Sequence, residues 1–127
     1  MLTFRSFFAL TAALALFVAV PGRAAELTGT ARVVDGDTLK MGVVSVRLHG
    51  IDAPEMAQTC RRGDGRAWDC GQAASDALTR MAGGRRVSCA PVDVDSYGRI
   101  VARCRAGEQG DLGRALVRRG AAFAYAR

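Results

Sequence analysis

The sequence predicts a mainly β domain in which five strands close into a small barrel that carries two helices. Three observations support this prediction: a stretch rich in Val, Thr and Leu from Leu27 to Ile51, a helical apolar stripe between residues 69 and 84, and a second hairpin between Val87 and Cys104. Short strands that are separated by Gly-containing turns are typical of small barrels and of sandwiches. A sandwich would need more strands than this chain offers.

The first three strands are predicted to form an antiparallel meander. Asp35-Gly36 lies between apolar, β-branched residues and predicts a two-residue hairpin turn with both residues at positive φ. Gly42 marks the second turn. The third strand alternates between apolar and polar residues, namely Val44, Ser45, Val46, Arg47, Leu48 and His49. Because side chains alternate across a strand, the apolar set faces the core and Arg47 points the other way.

The two helices are predicted from capping residues and apolar spacing. The segment MAQTCRRGDGRAWDC has no periodicity and is predicted to be a loop. Asp69 is then expected to cap a helix that ends at Gly83-Gly84, and Asp111 a second helix that ends at Gly120. The apolar residues of the first helix share one face, namely Ala74, Ala77, Leu78 and Met81. A helix inserted after the third strand favours a Greek-key barrel of the OB-fold type.

Four cysteines predict two disulfides in an oxidising compartment, although four cysteines formally allow three pairings. Zinc binding is disfavoured because no two cysteines have the C-x₂₋₄-C spacing and the chain has a single histidine. If the second hairpin turns midway through Ser96-Tyr97, Cys89 and Cys104 lie opposite each other at a separation that suits a disulfide. This register pairs Cys89 with Cys104 and, by elimination, Cys60 with Cys70.

Residues 1–24 are predicted to be a secretory signal peptide. Arg5 and the amino terminus precede an apolar run from Phe7 to Val20, and small residues follow, with cleavage expected near Ala24. The run is short for a bilayer span, and an uncleaved N-terminal anchor is the alternative. We therefore expect residues 25–127 to form one periplasmic or secreted domain, monomeric and without stable membrane association after cleavage.

The net charge agrees with a polyanionic partner. Lysine and arginine total 18 against 12 acidic residues, which gives a formal net charge of +6. A positive field attracts nucleic acid, but an arginine-rich composition alone also produces such a charge, so the charge is supporting evidence only. Three arginine pairs are expected on solvated faces that help this attraction: Arg61-Arg62, Arg85-Arg86 and Arg118-Arg119.

Three stretches of sequence carry the candidate chemistry: VVDGDT, VRLHGIDAPE and DSYGR. They supply the carboxylates of Asp37, Asp52 and Glu55, which we expect at one edge of the barrel, and the guanidinium groups of Arg47 and Arg99. Crowded carboxylates repel each other unless a cation lies among them. Oxygen ligands for a hard cation, a carboxylate that orients or deprotonates water, and arginines that bind phosphate charge are the parts of metal-dependent phosphodiester hydrolysis.

These stretches, together with ALVRRGAAFAYAR, resemble the thermonuclease family, the staphylococcal-nuclease-like Ca²⁺-dependent nucleases of the OB-fold. The resemblance runs from about Arg32 to Tyr125 and is to secreted bacterial members. It implies an endonuclease that hydrolyses DNA and RNA and leaves 3′-phosphate ends. The third, C-terminal helix that is usual in the family has no counterpart in this sequence.

The resemblance also implies a metal site and a base. Asp37 and Asp52 would bind Ca²⁺ through their carboxylates, and Ala53 would bind it through its backbone carbonyl oxygen. Glu55 would be the base that positions or activates the attacking water.

The resemblance implies that the remaining site residues contact the substrate. Arg47 and Arg99 would stabilise the phosphate in the transition state, and Tyr97 and Tyr125 would contact the nucleic acid. Trp68 is expected to pack the loop between Cys60 and Cys70 rather than stack on a base.

A non-catalytic OB-fold module that binds nucleic acid or a protein partner is the alternative function. Such a module has no physical need for the three carboxylates and two arginines together, so the sequence favours the nuclease. His49 is the only histidine, and this chemistry does not require it.

Overall fold

The computed structural model describes residues 19–22 and 25–125. Its elements in chain order are β1 (Leu27–Asp35), β2 (Thr38–Met41), β3 (Val44–Leu48), β4 (Ile51–Asp52), β5 (Cys60–Arg61), β6 (Ala67–Trp68), α1 (Cys70–Ala82), β7 (Arg86–Val94), β8 (Ile100–Arg105), a 3₁₀ turn (Gly107–Gln109), α2 (Leu112–Arg118) and β9 (Phe123–Ala124). Most of the predicted signal peptide lies outside the described residues. None of the helices in the described part is long and apolar enough to cross a membrane.

Five strands form a closed barrel in the order β1-β2-β3-β8-β7, which confirms the predicted OB-fold architecture with two helices. Neighbouring strands are antiparallel, except that β3 and β8 run parallel. The remaining strands are two residues long and form two small additional sheets, β4 with β9 and β5 with β6. The pairing of β4 with β9 brings the end of the described chain to the segment that follows β3.

The core fills the barrel and continues under the two helices. Val46 and Leu48 are fully buried on one face of β3, as the alternation predicts, and Arg47 lies on the other face. The helices add Leu78 and Leu116 to the same core. Each fully buried aliphatic side chain of this size contributes roughly 1.5–3 kcal/mol relative to exposure, so this core is the main source of stability.

The first hairpin forms, but the predicted turn was wrong. Asp35 pairs with Thr38, so the turn residues are Gly36 and Asp37, and neither has positive φ. The Asp35 carboxylate closes the turn by accepting a hydrogen bond from the Asp37 amide at 3.2 Å. A register shift between Val33 and Asp35 moves the turn one residue along the chain, which the local Asp-Gly signal does not reveal.

Gly36 is required by space rather than by its backbone angles. A Cβ atom at this position would lie 2.7 Å from the Cβ of Ala74 on α1 and 2.8 Å from the Cβ of Ala53. Only a glycine lets the turn, the helix and the segment after β4 meet so closely. The turn that carries Asp37 is therefore clamped against α1.

The second hairpin places Cys89 opposite Cys104, and the two are joined by a disulfide. The turn, however, is centred on Tyr97 and not just before it, as the sequence predicted. A bulge between Pro91 and Asp93 brings the two cysteines back into register. Proline cannot donate a ladder hydrogen bond, and bulges are where strands accommodate it.

The second disulfide joins Cys60 to Cys70, and the segment between them is a short hairpin rather than the predicted loop. Asp69 occupies the N-cap position of α1, but its side chain makes no capping hydrogen bond, so that prediction was wrong. The first turn of α1 is anchored differently, because the Gly71 amide donates to the Gln58 carbonyl oxygen at 3.1 Å. Asp111 caps α2 as predicted.

The clamp at Gly36 gives a stability prediction. Gly36→Ala should lower the free energy of unfolding by about 1–3 kcal/mol, because the new methyl group meets two Cβ atoms that cannot rotate away. Urea denaturation measures the change. The matched control is Gly29→Ala in β1, where the nearest atom is at 3.5 Å, an ordinary contact. Equal stability of the two variants would contradict the clamp.

Candidate functional site

Asp37 is a buried carboxylate with a complete set of partners. Its Oδ1 accepts a hydrogen bond from the Thr38 hydroxyl at 3.0 Å, and its Oδ2 accepts one from the Ala53 amide at 3.0 Å. Its backbone carbonyl oxygen accepts a bond from the Leu48 amide at 2.8 Å. Burial of a charge is unfavourable unless it is paired, so these contacts fix the carboxylate and join the turn to β3 and to the segment after β4.

Arg47 lies between two carboxylates. Its Nη1 is 2.6 Å from Asp37 Oδ2, and its Nη2 donates to Asp52 Oδ1 at 3.3 Å. The Arg47 side chain is 15% exposed, whereas the Asp52 side chain is 71% exposed. Arg47 Nη1 is buried and makes no aligned hydrogen bond within the described part of the chain. The short contact of Nη1 with Asp37 Oδ2 is therefore an ion pair without hydrogen-bond alignment.

The position of Asp52 depends on the pairing of β4 with β9. Asp52 lies opposite Phe123 in this pair, and its neighbour Ala53 donates to Asp37. The structure thus brings Asp37, Asp52 and Ala53 together around Arg47. Their roles as metal ligands and as a phosphate-binding arginine stay a prediction.

Glu55 lies on an exposed turn that follows Pro54. The Glu55 amide donates to Gln58 Oε1 at 3.2 Å, and the Glu55 carbonyl oxygen accepts from the Gln58 amide at 2.8 Å. A Cβ atom on Gly71 would lie only 1.7 Å from the Glu55 carbonyl oxygen, so the turn rests directly on the start of α1. The sequence does not predict the roles of Gln58 and Gly71 in holding this turn. The one available signal is Gly71 itself, because a glycine inside a helix is unfavourable.

The described residues contain no cluster of three or more acidic, histidine or cysteine side chains arranged to hold a metal ion. The convergence of three carboxylates that the sequence predicts is therefore not found among the described residues, and Arg47 contacts only Asp37 and Asp52. Two carboxylates and a backbone carbonyl are hard oxygen donors. Such a set fits a cation that accepts a variable number of oxygen ligands and retains water, as Ca²⁺ does.

A further carboxylate, Asp35, stands beside this group. Burial raises the pKa of Asp35, and the charge of Asp37 raises it further, although the hydrogen bond from the Asp37 amide opposes the rise. The sequence assigned Asp35 only to the turn. In the structure it also adds negative charge next to Asp37.

Arg99 is held by the turn between β7 and β8. Its Nε donates to Asp95 Oδ2 at 2.7 Å, and Asp95 Oδ1 accepts from the amides of Tyr97 and Arg99 at 2.9 and 3.0 Å. The guanidinium carbon lies 5.3 Å from the centre of the Tyr97 ring. Burial raises the pKa of Asp95, but the hydrogen bonds from Arg99 and Tyr97 outweigh this effect and leave the pKa below its ordinary value.

A groove of about 550 Å³ brings the predicted substrate residues together. Arg47 and Arg99 both line it, with Tyr97 and Tyr125. Tyr97 is 84% exposed. The Tyr125 amide donates to the Gly50 carbonyl oxygen at 3.0 Å, which fixes this tyrosine beside β4. We name this surface the arginine groove.

The lowered pKa of Asp95 predicts a pH-dependent contribution to stability. The unfolded chain binds a proton at Asp95 more readily than the folded chain, so the contribution is complete above the ordinary pKa of 3.8 and is lost as pH falls through the folded-state pKa. Asp95→Asn should therefore lower the melting temperature at pH 7.

Thermal denaturation across pH measures this effect. The difference between Asp95→Asn and the native chain should shrink as the pH falls below 3.8. Asp93→Asn is the control, because it removes an exposed charge from the end of β7, two residues away, without an ion pair to an arginine. A difference that stays constant down to the acid limit would contradict the ion pair with Arg99.

Comparison with known proteins identifies the family. The family described as "Staphylococcal nuclease homologue" matches residues 45–127. The chain is 34% identical over 100 residues to the succinoglycan biosynthesis protein ExoI of Rhizobium meliloti, covering 78% of this chain and 52% of that protein. It is 33% identical over 98 residues to an uncharacterized endonuclease of Escherichia coli, covering 74% and 58%.

Protein ParB of Escherichia coli is 35% identical over 127 residues, which covers 90% of this chain and 66% of that protein. The chain thus spans between about half and two thirds of the length of these relatives. The barrel, the two helices and the family match agree with one another. The chain belongs to the family of staphylococcal nuclease homologues.

Proposed function

We propose that this chain is a Ca²⁺-dependent nuclease that hydrolyses phosphodiester bonds in DNA and RNA and leaves 3′-phosphate ends. The observation that supports it best is the position of Arg47, which lies against two carboxylates and also lines the arginine groove with Arg99. A phosphodiester is a monoanion that gains charge in the transition state. Two guanidinium groups beside a site for a cation provide the stabilisation that this charge requires.

The cation would be held by the carboxylates of Asp37 and Asp52 and by the carbonyl oxygen of Ala53. When bound, it supplies positive charge to the phosphate oxygens and lowers the pKa of a bound water. The buried position of Asp37 and its bonds from Thr38 and Ala53 orient one ligand before any cation arrives.

Glu55 is the candidate base in this proposal. A water oxygen would attack phosphorus and pass a proton to the Glu55 carboxylate, while the bond from phosphorus to the 5′ oxygen breaks. The departing 5′ oxygen would take a proton from solvent, and Glu55 would later release its proton to solvent. Arg47 and Arg99 donate hydrogen bonds to the oxygens that gain charge. Both arginines line the arginine groove, where such an oxygen would lie.

The two disulfides support an extracytoplasmic location, periplasmic or secreted, because such bonds persist in oxidising compartments. The proposed working form is a monomer of residues 25–127 that follows removal of the signal peptide. Nucleic acid is the proposed substrate and would bind in the arginine groove.

The nuclease hypothesis predicts cleavage by the oxidised protein in the presence of Ca²⁺. Plasmid DNA and RNA should both be digested, the ends should be sensitive to a 3′-phosphatase, and a chelator should stop the reaction. Glu55→Gln should lower the cleavage rate by about 10²- to 10⁴-fold, the usual contribution of a positioned base.

The matched control is Glu108→Gln, which removes an exposed carboxylate from the 3₁₀ turn away from the site. It should cleave as fast as the native chain. A folded, oxidised protein that binds nucleic acid but shows no Ca²⁺-dependent cleavage would instead be the non-catalytic binding module.

Arg47 gives a prediction that separates metal binding from catalysis. Arg47 and a cation share the carboxylates of Asp37 and Asp52, so Arg47→Gln should raise the affinity for Ca²⁺ while it lowers the cleavage rate by about 10²- to 10³-fold. Isothermal titration calorimetry measures the first effect and single-turnover cleavage the second. Unchanged or weaker Ca²⁺ binding would contradict the placement of the cation between these two carboxylates.

A further inference from the structure

A second groove adjoins the turn that carries Asp52 and Glu55. Its volume is about 460 Å³, and it shares no lining residue with the arginine groove. Pro54, which lies between Asp52 and Glu55, lines it, and so does Phe123, which pairs with Asp52 across β4 and β9. We name it the tryptophan groove after Trp68, which also lines it. The groove thus adjoins the candidate site through Pro54 and Phe123.

The charge of the tryptophan groove is positive and uncompensated. Three arginines line it, Arg61, Arg80 and Arg119, and no acidic side chain does. Within the described part of the chain none of these arginines forms an ion pair with a carboxylate. The hydrogen bonds of Arg61 and Arg119 go to neutral acceptors: Arg61 donates to the Gly65 carbonyl oxygen at 3.0 Å, and Arg119 donates to Gln109 Oε1 at 3.3 Å and to the sulfur of Met81. This charge distribution suits an anionic ligand.

Two aromatic side chains lie among these arginines. Phe123 is 76% exposed, although it is large and apolar. Trp68 is fixed at the wall of the groove, because it lies opposite Cys60 in the short hairpin and because the Arg62 guanidinium lies over its ring at 5.2 Å. The sequence predicts that Trp68 packs this segment rather than stacks on a base, and the structure places its ring both beside Arg62 and at the groove.

We propose that the tryptophan groove binds nucleotides of a single-stranded nucleic acid next to the phosphate that the candidate site would cleave. Bases stack on Trp68 and Phe123, and the arginines contact the backbone phosphates. Alternating aromatic and arginine side chains along a positive groove are the features of sites that bind single strands, whose bases are free to leave their own stack. This inference rests on the proposed function, since it extends the substrate path of the same site.

Trp68 is the only tryptophan of the chain, so its fluorescence reports directly on this groove. The probe is an oligothymidylate of about eight nucleotides, within the site sizes of OB-folds, added to the oxidised Glu55→Gln variant with Ca²⁺ so that the strand stays intact. Saturable quenching of Trp68 is expected. A self-complementary duplex of similar length should quench much less.

Two variants and one control locate the binding. Phe123→Ala and Arg80→Gln should each weaken the affinity measured by quenching about 5- to 50-fold, because each removes one stacking or phosphate contact. Both side chains are exposed, so the fold tolerates the changes. Arg86→Gln removes the same charge from an exposed position on β7 that lines neither groove, and it should change the affinity less than about twofold.

Separate outcomes identify which proposal fails. Oligonucleotide binding seen by anisotropy without any change in Trp68 fluorescence would overturn the tryptophan groove and leave the proposed nuclease intact. Trp68 fluorescence could also fall as the protein concentration rises, without oligonucleotide. If sedimentation then shows a dimer, the groove binds a second copy of the chain and the proposal is overturned. Quenching by the oligonucleotide in a chain that never cleaves would support the groove while the nuclease hypothesis fails.

Discussion

The contact of Arg47 with Asp37 and Asp52 is the constraint around which the candidate site is arranged. It joins the first hairpin, β3 and β4. The largely buried guanidinium group of Arg47 lies between the two carboxylates. Buried ion pairs contribute little net stability, since desolvation offsets the Coulomb attraction. What the contact provides is position: Asp37 is fixed from several directions, while Asp52 remains open to solvent and able to exchange its partner.

The geometry around this contact is maintained by glycines and backbone atoms. Gly36 lets the Asp37 turn approach α1, and Gly71 lets the start of α1 approach the carbonyl oxygen of Glu55. Both close approaches exclude even a methyl group, so the two acidic turns share α1 as a common support. A helix with no side chain in the proposed chemistry therefore sets the spacing of the residues that have one.

Sequence patterns predicted the features that depend on local periodicity. The alternation along β3 placed Val46 and Leu48 inside, and the hairpin register paired Cys89 with Cys104. Features that depend on tertiary contact were missed. The bulge beside Pro91 and the turn at Gly36 follow from how segments pack. So does the lack of a three-carboxylate cluster among the described residues. Residues that touch only backbone leave almost no signal in a single sequence.

The disulfide between Cys60 and Cys70 has a consequence that reaches beyond stability. One of its ends begins α1, next to Gly71, whose amide holds the carbonyl of Gln58 and through it the turn of Glu55. Its other end, Cys60, lies opposite Trp68 in the hairpin of β5 and β6. Breaking this single bond would loosen the turn of Glu55 and the position of Trp68 at the same time. The redox potential of the surroundings thus acts on both sides of the site through one covalent link, and a reducing environment would relax the two together.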